Sequence, residues 1–174
     1  MQRLVEIVRS LAFYVAFYLG GAVFILIAAL MIPAPRAVFR GAVRNWAGWH
    51  RLCARWLLGI RVRVEGARPS GPVLIALKHE SFFEAIDLTQ LLENPAVFAK
   101  AELMRLPVWG LAGRRYGLVE VQRDQGAKAL RHMLAAARAH SAEGRPLALF
   151  PEGTRIPHGE IAALKSGFAG VYKL

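Results

Sequence analysis

The sequence predicts an α/β fold that follows a membrane-anchoring helical segment. An uncharged apolar stretch lies near the amino terminus, and beyond residue 58 short β-rich apolar runs alternate with stretches of helix-forming residues. We therefore expect an anchoring region at residues 1–58 and one α/β domain at residues 59–174. The predicted strands cover residues 60–64, 73–77, 96–99, 118–122 and 147–150, and the predicted helices cover residues 82–92, 101–115, with an interruption at Pro107, and 125–142.

The composition is both basic and apolar. The 174 residues carry a net charge of +11, yet 55% of them are hydrophobic, which excludes a disordered basic tail and is unusual for a soluble domain. This balance suits an anionic membrane surface. Nucleic acid is not an expected partner, because the sequence contains no zinc-ligand spacing, helix-turn-helix pattern or aromatic RNA-binding signature. The single Cys53 cannot form an internal disulfide.

Residues 11–32 contain no charged side chain, and a helix of that length at about 1.5 Å per residue approaches the thickness of the bilayer core. We therefore predict a membrane segment. Gly20 and Gly21 leave two forms open, a straight span or a bent, half-embedded hairpin. Arginines after this stretch outnumber those before it, so a spanning segment would place the remaining chain on the cytoplasmic side of the membrane.

A second helical pattern follows Pro33 and Pro35. It permits two interpretations, an interfacial helix lying on the membrane or an amphipathic helix docked on the protein's own core with a solvated arginine face. On a helical wheel, one stripe holds Arg40, Arg44, Arg51 and Arg55, and the opposite face holds Trp46, Trp49, Cys53, Trp56 and Leu57.

His79 is the first candidate for chemistry. It follows the predicted strand 73–77 directly, and active sites of open α/β sheets gather at the carboxyl ends of strands. A neutral imidazole can take a proton from an alcohol, while a carboxylate on its other nitrogen fixes the tautomer. Glu84 is the best-placed carboxylate. The pattern from Ser81 to Glu84 is equally typical of a capping box at a helix start, so both interpretations stay open.

A second motif, Phe-Pro-Glu-Gly-Thr-Arg at residues 150–155, also follows a predicted strand. Together with His79, the acid at position 84 and the segment from Gly117 to Arg123, it closely resembles the 1-acyl-glycerol-3-phosphate acyltransferase family over about residues 72–165. The resemblance implies a mixed sheet flanked by helices, the glycerolipid acyltransferase fold. It also implies the following roles: His79 as general base, Glu84 as its orienting acid, and Lys100, Arg123, Glu152, Gly153, Thr154 and Arg155 as residues that bind the acceptor and its phosphate.

For function, the resemblance implies transfer of an acyl group from acyl-ACP or acyl-CoA to the sn-2 hydroxyl of lysophosphatidic acid, which gives phosphatidic acid in phospholipid biosynthesis. Membrane lipids and the inner membrane's cytoplasmic face are the expected surroundings. No cofactor and no metal are expected, since the histidines lie at no zinc-like spacing. The alternatives are an acyltransferase acting on another lyso-lipid, such as a lyso-ornithine lipid, and a membrane protein that binds lipid without turnover.

Two features depart from the family pattern. Many members have Asp where this chain has Glu84, and the extra methylene leaves Asp87 as a possible substitute for the orienting acid. The family also continues beyond Lys165 into a further helix and sheet, whereas this sequence ends at Leu174. From sequence, the chain is therefore expected to end before the full fold, with a sheet edge left exposed.

Overall fold

A computed structural model describes residues 1–122 and 125–174. The chain divides into two compact units, Met1–Ala67 and Arg68–Leu174. The first is helical, and the second is an α/β unit, as the sequence predicts.

The first unit is built from two helices, α1 (Gln2–Leu30) and α2 (Arg36–Cys53), and α2 continues into a π-helical turn at Ala54–Leu58. Helix α1 runs unbroken through the two glycines, so the chain does not bend there. It reverses instead between the helices, where the fixed φ of Pro33 and Pro35 favours a stop and a new helix start. Among the described residues, α1 is the one helix long and apolar enough to cross a membrane, judged by length and composition.

The two helices pack antiparallel along much of their length. Trp49 Nε1 donates to the Ala16 carbonyl at 3.2 Å, and near the other end the Arg9 side chain donates to the Leu57 carbonyl at 2.7 Å. Gly20 permits this approach, because a Cβ at that position would collide with the Trp49 indole. His50 is buried beside the rings of two α1 phenylalanines, Phe13 and Phe17.

Helix α2 therefore docks on the protein itself through part of its predicted aromatic face. Phe39, His50 and Cys53 are buried, whereas Trp56 is 69% exposed. The wheel drawn from sequence put Trp56 with Cys53 on one face, and this placement is wrong. The spacing becomes π-helical from Ala54 onward, so the side chains that follow Cys53 are rotated relative to α-helical spacing.

The second unit contains a four-stranded sheet in the order β1-β4-β2-β3. Every pairing in the described residues is parallel, whereas the family resemblance implies a mixed sheet. The strands are β1 (Leu74–Ala76), β2 (Ala96–Lys100), β3 (Val119–Val121) and β4 (Leu147–Leu149). The strand predicted at residues 60–64 is absent. Its alternating valines and arginines would need a partner strand, and this stretch pairs with none in the described chain, so Ile60 and Val64 are exposed.

Helices cover both faces of the sheet, and the strands divide their side chains between two cores. Leu147 and Leu149 point into one core with Phe98, and the intervening Ala148 points into the other with Leu88. This alternation explains the continuous apolar run in β4, which is buried on both sides. The helices of this unit are α3 (Phe83–Leu91), α4 (Ala101–Met104), α5 (Pro107–Tyr116), α6 (Gly126–Ala142) and α7 (Ser166–Tyr172).

The strand order positions the site. Strand β4 lies beside β1 although more than 70 residues separate them along the chain, and Leu77 N extends their pairing by donating to the Leu149 carbonyl at 3.0 Å. Because parallel strands end at the same edge of a sheet, the residues that follow β1 and those that follow β4 are brought together. Those residues are the two sequence motifs.

Candidate active site

His79 follows β1, and its imidazole contacts the Glu84 carboxylate and the Phe150 ring. Its Nδ1 lies 2.7 Å from Glu84 Oε1, and its side chain is 18% exposed. The ring stacks on Phe150, with 4.2 Å between ring centroids and 23° between planes. A hydrogen bond from Nδ1 to the carboxylate leaves Nε2 as the nitrogen able to accept a proton.

Glu84 makes contacts that fit both of the interpretations that the sequence left open. One carboxylate oxygen, Oε1, accepts from the backbone N–H groups of Glu80 and Ser81, each at 2.7 Å, as well as from His79. The other, Oε2, accepts from the Ser81 hydroxyl at 2.7 Å, and that hydroxyl in turn accepts from the Phe83 N–H at 3.0 Å. The same carboxylate therefore closes the helix start and contacts the imidazole.

These donors set the charge of Glu84. Partial burial alone would raise the pKa of this carboxyl, but the hydrogen bonds from the Ser81 backbone, the Ser81 hydroxyl and His79 together outweigh burial and lower its pKa below the ordinary value. The carboxylate is consequently ionised at neutral pH. An ionised acid on Nδ1 stabilises the imidazolium that forms when Nε2 takes a proton.

The 150–155 motif forms a tight turn after β4. Gly153 N donates to the Phe150 carbonyl at 3.0 Å, and Gly153 adopts φ of +68°, a conformation that side chains disfavour. The aliphatic stem of Lys165 covers this glycine, and Lys165 N donates to the Pro151 carbonyl at 2.8 Å. Glu152 in the turn is only 8% exposed, and its Oε2 has no hydrogen-bond partner in the structure as described.

Arg155 joins the turn to the loop that carries His79. Its guanidinium carbon lies 4.3 Å from the centre of the Phe82 ring, a cation–π distance. The next residue, Ile156, donates its backbone N–H to the His79 carbonyl at 2.7 Å. The exposed Arg155 and the imidazole of His79 are therefore held on two loops that are bonded to each other.

The remaining predicted site residues lie as follows. Lys100 ends β2 at the same sheet edge, with Nζ 3.1 Å from Glu102 Oε1, and Thr154 is exposed in the turn. Asp87, considered as a substitute acid, is buried in α3, and the carboxylate that contacts His79 belongs to Glu84. Arg123 lies outside the described residues.

Sequence reasoning missed the two aromatic rings. Phe150 stacks on the imidazole of His79, and the ring of Phe82 lies against the guanidinium of Arg155. Both adjoin a motif residue in sequence, and that adjacency was the available signal. A strand-terminal phenylalanine is normally a core residue, however, and its contact with His79 depends on β4 pairing with β1, which spacing along the chain does not reveal.

Comparison with known proteins decides the family. Residues 59–173 match the Acyltransferase family. This chain belongs to that family, which confirms the resemblance seen in the sequence. The fold is also confirmed, because the crystal structure of the 1-acyl-sn-glycerophosphate acyltransferase PlsC from Thermotoga maritima matches with a TM-score of 0.68 and 24% identity, over 99% of this chain and 71% of that one.

Two relatives in the same family carry names with different lipid acceptors. The chain is 31% identical over 170 residues to a 1-acyl-sn-glycerol-3-phosphate acyltransferase of Pseudomonas aeruginosa, covering 94% of this chain and 65% of that protein. It is 32% identical over 130 residues to a lyso-ornithine lipid O-acyltransferase of Rhizobium meliloti, covering 73% of this chain and 44% of that protein. The chain thus spans less than two thirds of the length of these relatives.

Proposed function

We propose that this acyltransferase moves an acyl group from a thioester to the sn-2 hydroxyl of lysophosphatidic acid, giving phosphatidic acid for phospholipid biosynthesis. The observation that carries the proposal is the contact between the His79–Glu84 pair and the 150–156 turn, which combines a base with a guanidinium at one sheet edge. The names of its relatives support lysophosphatidic acid as the acceptor. A protein that only bound lipid would need no base beside a hydroxyl.

The reaction uses His79 as general base. Its Nε2 takes the proton of the acceptor hydroxyl as the oxygen attacks the thioester carbonyl, and Glu84 stabilises the imidazolium through Nδ1. The tetrahedral intermediate then collapses, the carbon–sulfur bond breaks, and the departing sulfur receives the proton from Nε2. One ester forms, one thiol is released, and the imidazole returns to its neutral state.

The phosphate of the acceptor is proposed to bind to Arg155, with Lys100 and Arg123 as further cations and with Glu152, Gly153 and Thr154 shaping the turn. A guanidinium presents a planar fork of donors that matches two phosphate oxygens. Phe82 holds the Arg155 side chain in place before the ligand arrives, which lowers the entropy lost on binding. The proposed donor is acyl-ACP or acyl-CoA.

The apolar α1 associates this protein with membranes, and we propose that the first unit does so as a hairpin on the cytoplasmic face. Antiparallel packing places α2 beside α1, so a straight span by α1 would carry arginines such as Arg40 and Arg44 toward the bilayer core. Each charged side chain at that depth costs about 2.5–3.5 kcal/mol on insertion scales. A hairpin in one leaflet lets those arginines reach the lipid headgroups.

The direct test is an acyl-transfer assay on detergent-solubilised protein with lysophosphatidic acid, supplied separately with acyl-ACP and acyl-CoA. We expect phosphatidic acid with at least one donor and none with His79→Ala. Product formation by the His79→Ala protein at a tenth of the wild-type rate or more would refute the assignment.

A lyso-ornithine lipid is the second candidate acceptor, supported by the similarity to the Rhizobium meliloti enzyme. This acceptor has no phosphate, so it would not require the Arg155 clamp. Assaying both acceptors against wild type and Arg155→Ala separates the two proposals. If the lyso-ornithine lipid is the better substrate and Arg155→Ala leaves it unaffected, the second candidate replaces the first.

A further inference from the structure

The segment at residues 155–160, here called the strap, lies across residues 78–82, here called the histidine loop. Two contacts lie next to the proposed chemistry. Ile156 N donates to the His79 carbonyl at 2.7 Å, and the Arg155 guanidinium carbon lies 4.3 Å from the Phe82 ring centre. The strap therefore connects the base to the cation proposed for the phosphate.

Two charged residues on either side of His79 fasten the outer part of the strap. Lys78 Nζ donates to the Glu160 carbonyl at 2.9 Å and lies 3.0 Å from Glu80 Oε1. Glu80 in turn contacts His158 Nδ1 on the strap at 3.1 Å. Hydrogen bonds from Lys78 and then His158 lower the pKa of Glu80, so this carboxylate is ionised at neutral pH.

The substrate explains why such a connection matters. In lysophosphatidic acid the sn-2 hydroxyl and the phosphate are joined by a short glycerol chain, so the base and the phosphate-binding guanidinium must keep a matching separation. A displacement of about 1 Å between reacting groups can cost on the order of a hundredfold in rate. Arg155 lies on the strap and His79 on the histidine loop, so the contacts between these two segments hold the two side chains relative to each other.

We propose that Lys78 and Glu80 are positioning residues that fasten the strap and so set the separation between His79 and Arg155. The inference rests on the proposed function. Glu84 remains the carboxylate that contacts the His79 ring. The effect of Lys78 and Glu80 passes instead through the strap to the hydrogen bond between Ile156 and His79.

The exposure of these groups separates this role from a general contribution to stability. The side chains of Lys78 and Glu80 are 41% and 34% exposed, and that of His158 is 94% exposed. Ion pairs so open to solvent contribute little to the free energy of unfolding. Removing them should therefore leave the melting temperature unchanged and alter only the local alignment.

Steady-state kinetics with lysophosphatidic acid and acyl-CoA test the proposal. Glu80→Gln should lower kcat/KM for the acceptor by about 3- to 10-fold, leave the KM for acyl-CoA unchanged and leave the melting temperature unchanged. His158→Gln should have a smaller effect of the same kind. Because both variants break the contact between Glu80 and His158, the double variant should be no worse than Glu80→Gln alone.

Glu65→Gln is the matched control, since Glu65 forms an equally short, exposed pair with Arg63 at 3.0 Å in the other unit. If Glu80→Gln behaves like this control, the positioning role is overturned. Additive losses in the double variant would overturn it as well, because the two side chains would then act independently.

Amide hydrogen exchange supplies a readout that does not depend on turnover. Glu80→Gln should speed exchange at the Ile156 amide by a few fold, while exchange at Leu77, bonded to Leu149 within the sheet, should not change. Unchanged exchange at the Ile156 amide would overturn the proposal that Glu80 fastens the strap. If exchange responds as expected but the wild-type chain makes no phosphatidic acid, the strap stands and the proposed function fails.

Discussion

The two compact units of this chain use apolar residues in opposite ways. In Met1–Ala67, α1 buries none of its side chains, and Leu19 and Leu26 are each 66% exposed. In Arg68–Leu174, Leu88 and Ala148 are fully buried between the sheet and its helices. An outward apolar surface is stable when its surroundings are apolar, whereas an inward one is stable in water. The exposed apolar surface of the first unit suits lipid, whereas the second unit keeps its apolar residues in an interior shielded from water.

The units also differ in what their polar groups require. If the first unit lies on a membrane as proposed, its arginines need only come near anionic headgroups, because that attraction acts over about a Debye length. The carboxylate of Glu84 instead satisfies two backbone N–H groups, the Ser81 hydroxyl and the His79 ring at 2.7 Å each. Anchoring therefore depends on surface pattern, and the proposed chemistry depends on short distances. Substitutions should separate the two.

The largest effect should come from His79→Ala. Loss of the base should lower kcat by about 10²- to 10⁴-fold, because a positioned general base contributes roughly that factor to the rate. Co-flotation with liposomes should match wild type, since the side chain contributes nothing to the apolar surface of the first unit. A variant retaining a tenth of the wild-type rate would contradict the proposed role.

Arg155→Ala should rank second. Losing a charge-assisted hydrogen bond of about 1.5–3 kcal/mol should raise the KM for lysophosphatidic acid by roughly ten- to a hundredfold and barely change the KM of the donor. Arg155→Lys should recover only part of this, because an ammonium keeps the charge but loses the forked geometry. Equal damage with a phosphate-free acceptor would mean that Arg155 is structural.

A pair of glycines tests the first unit. Gly20→Ala should lower the thermal stability of the helical hairpin by about 1–3 kcal/mol, because the new Cβ collides with Trp49. Gly21→Ala is the matched control, since nothing lies within 4 Å of its Cβ position and alanine favours helix by up to about 1 kcal/mol. Thermal unfolding in detergent measures both. Equal stabilities would mean that the close packing of α1 on α2 is not required.

The sequence predicts the features that depend on neighbouring residues better than those that depend on contacts between distant parts of the chain. The α/β alternation, the helix broken at Pro107 and both site motifs are visible in local patterns, because each depends on neighbouring residues. The docking of Trp49 on Gly20 and the stacking of Phe150 on His79 depend on which helices and strands become neighbours. The misplacement of Trp56 has a similar cause, since a π-helical turn changes the angular period that the wheel assumes to be constant.

The smallest effect separates the two roles of Glu84. Glutamine is accepted in a capping box, so Glu84→Gln should reduce the free energy of unfolding by less than about 1 kcal/mol at neutral pH, while turnover falls because a neutral amide stabilises an imidazolium poorly. Glu84→Asp should keep part of the turnover.

The pKa of Glu84 is lowered in the folded protein, so the charge of this carboxylate contributes stability that is complete above the ordinary pKa of 4.5. That stability is lost as the pH falls through the pKa of the folded state. Denaturant unfolding of wild type and Glu84→Gln at a series of pH values should therefore give curves that converge in acid. Curves that stay parallel down to pH 3, with turnover unaffected, would mean that the carboxylate's charge matters neither to the helix start nor to His79.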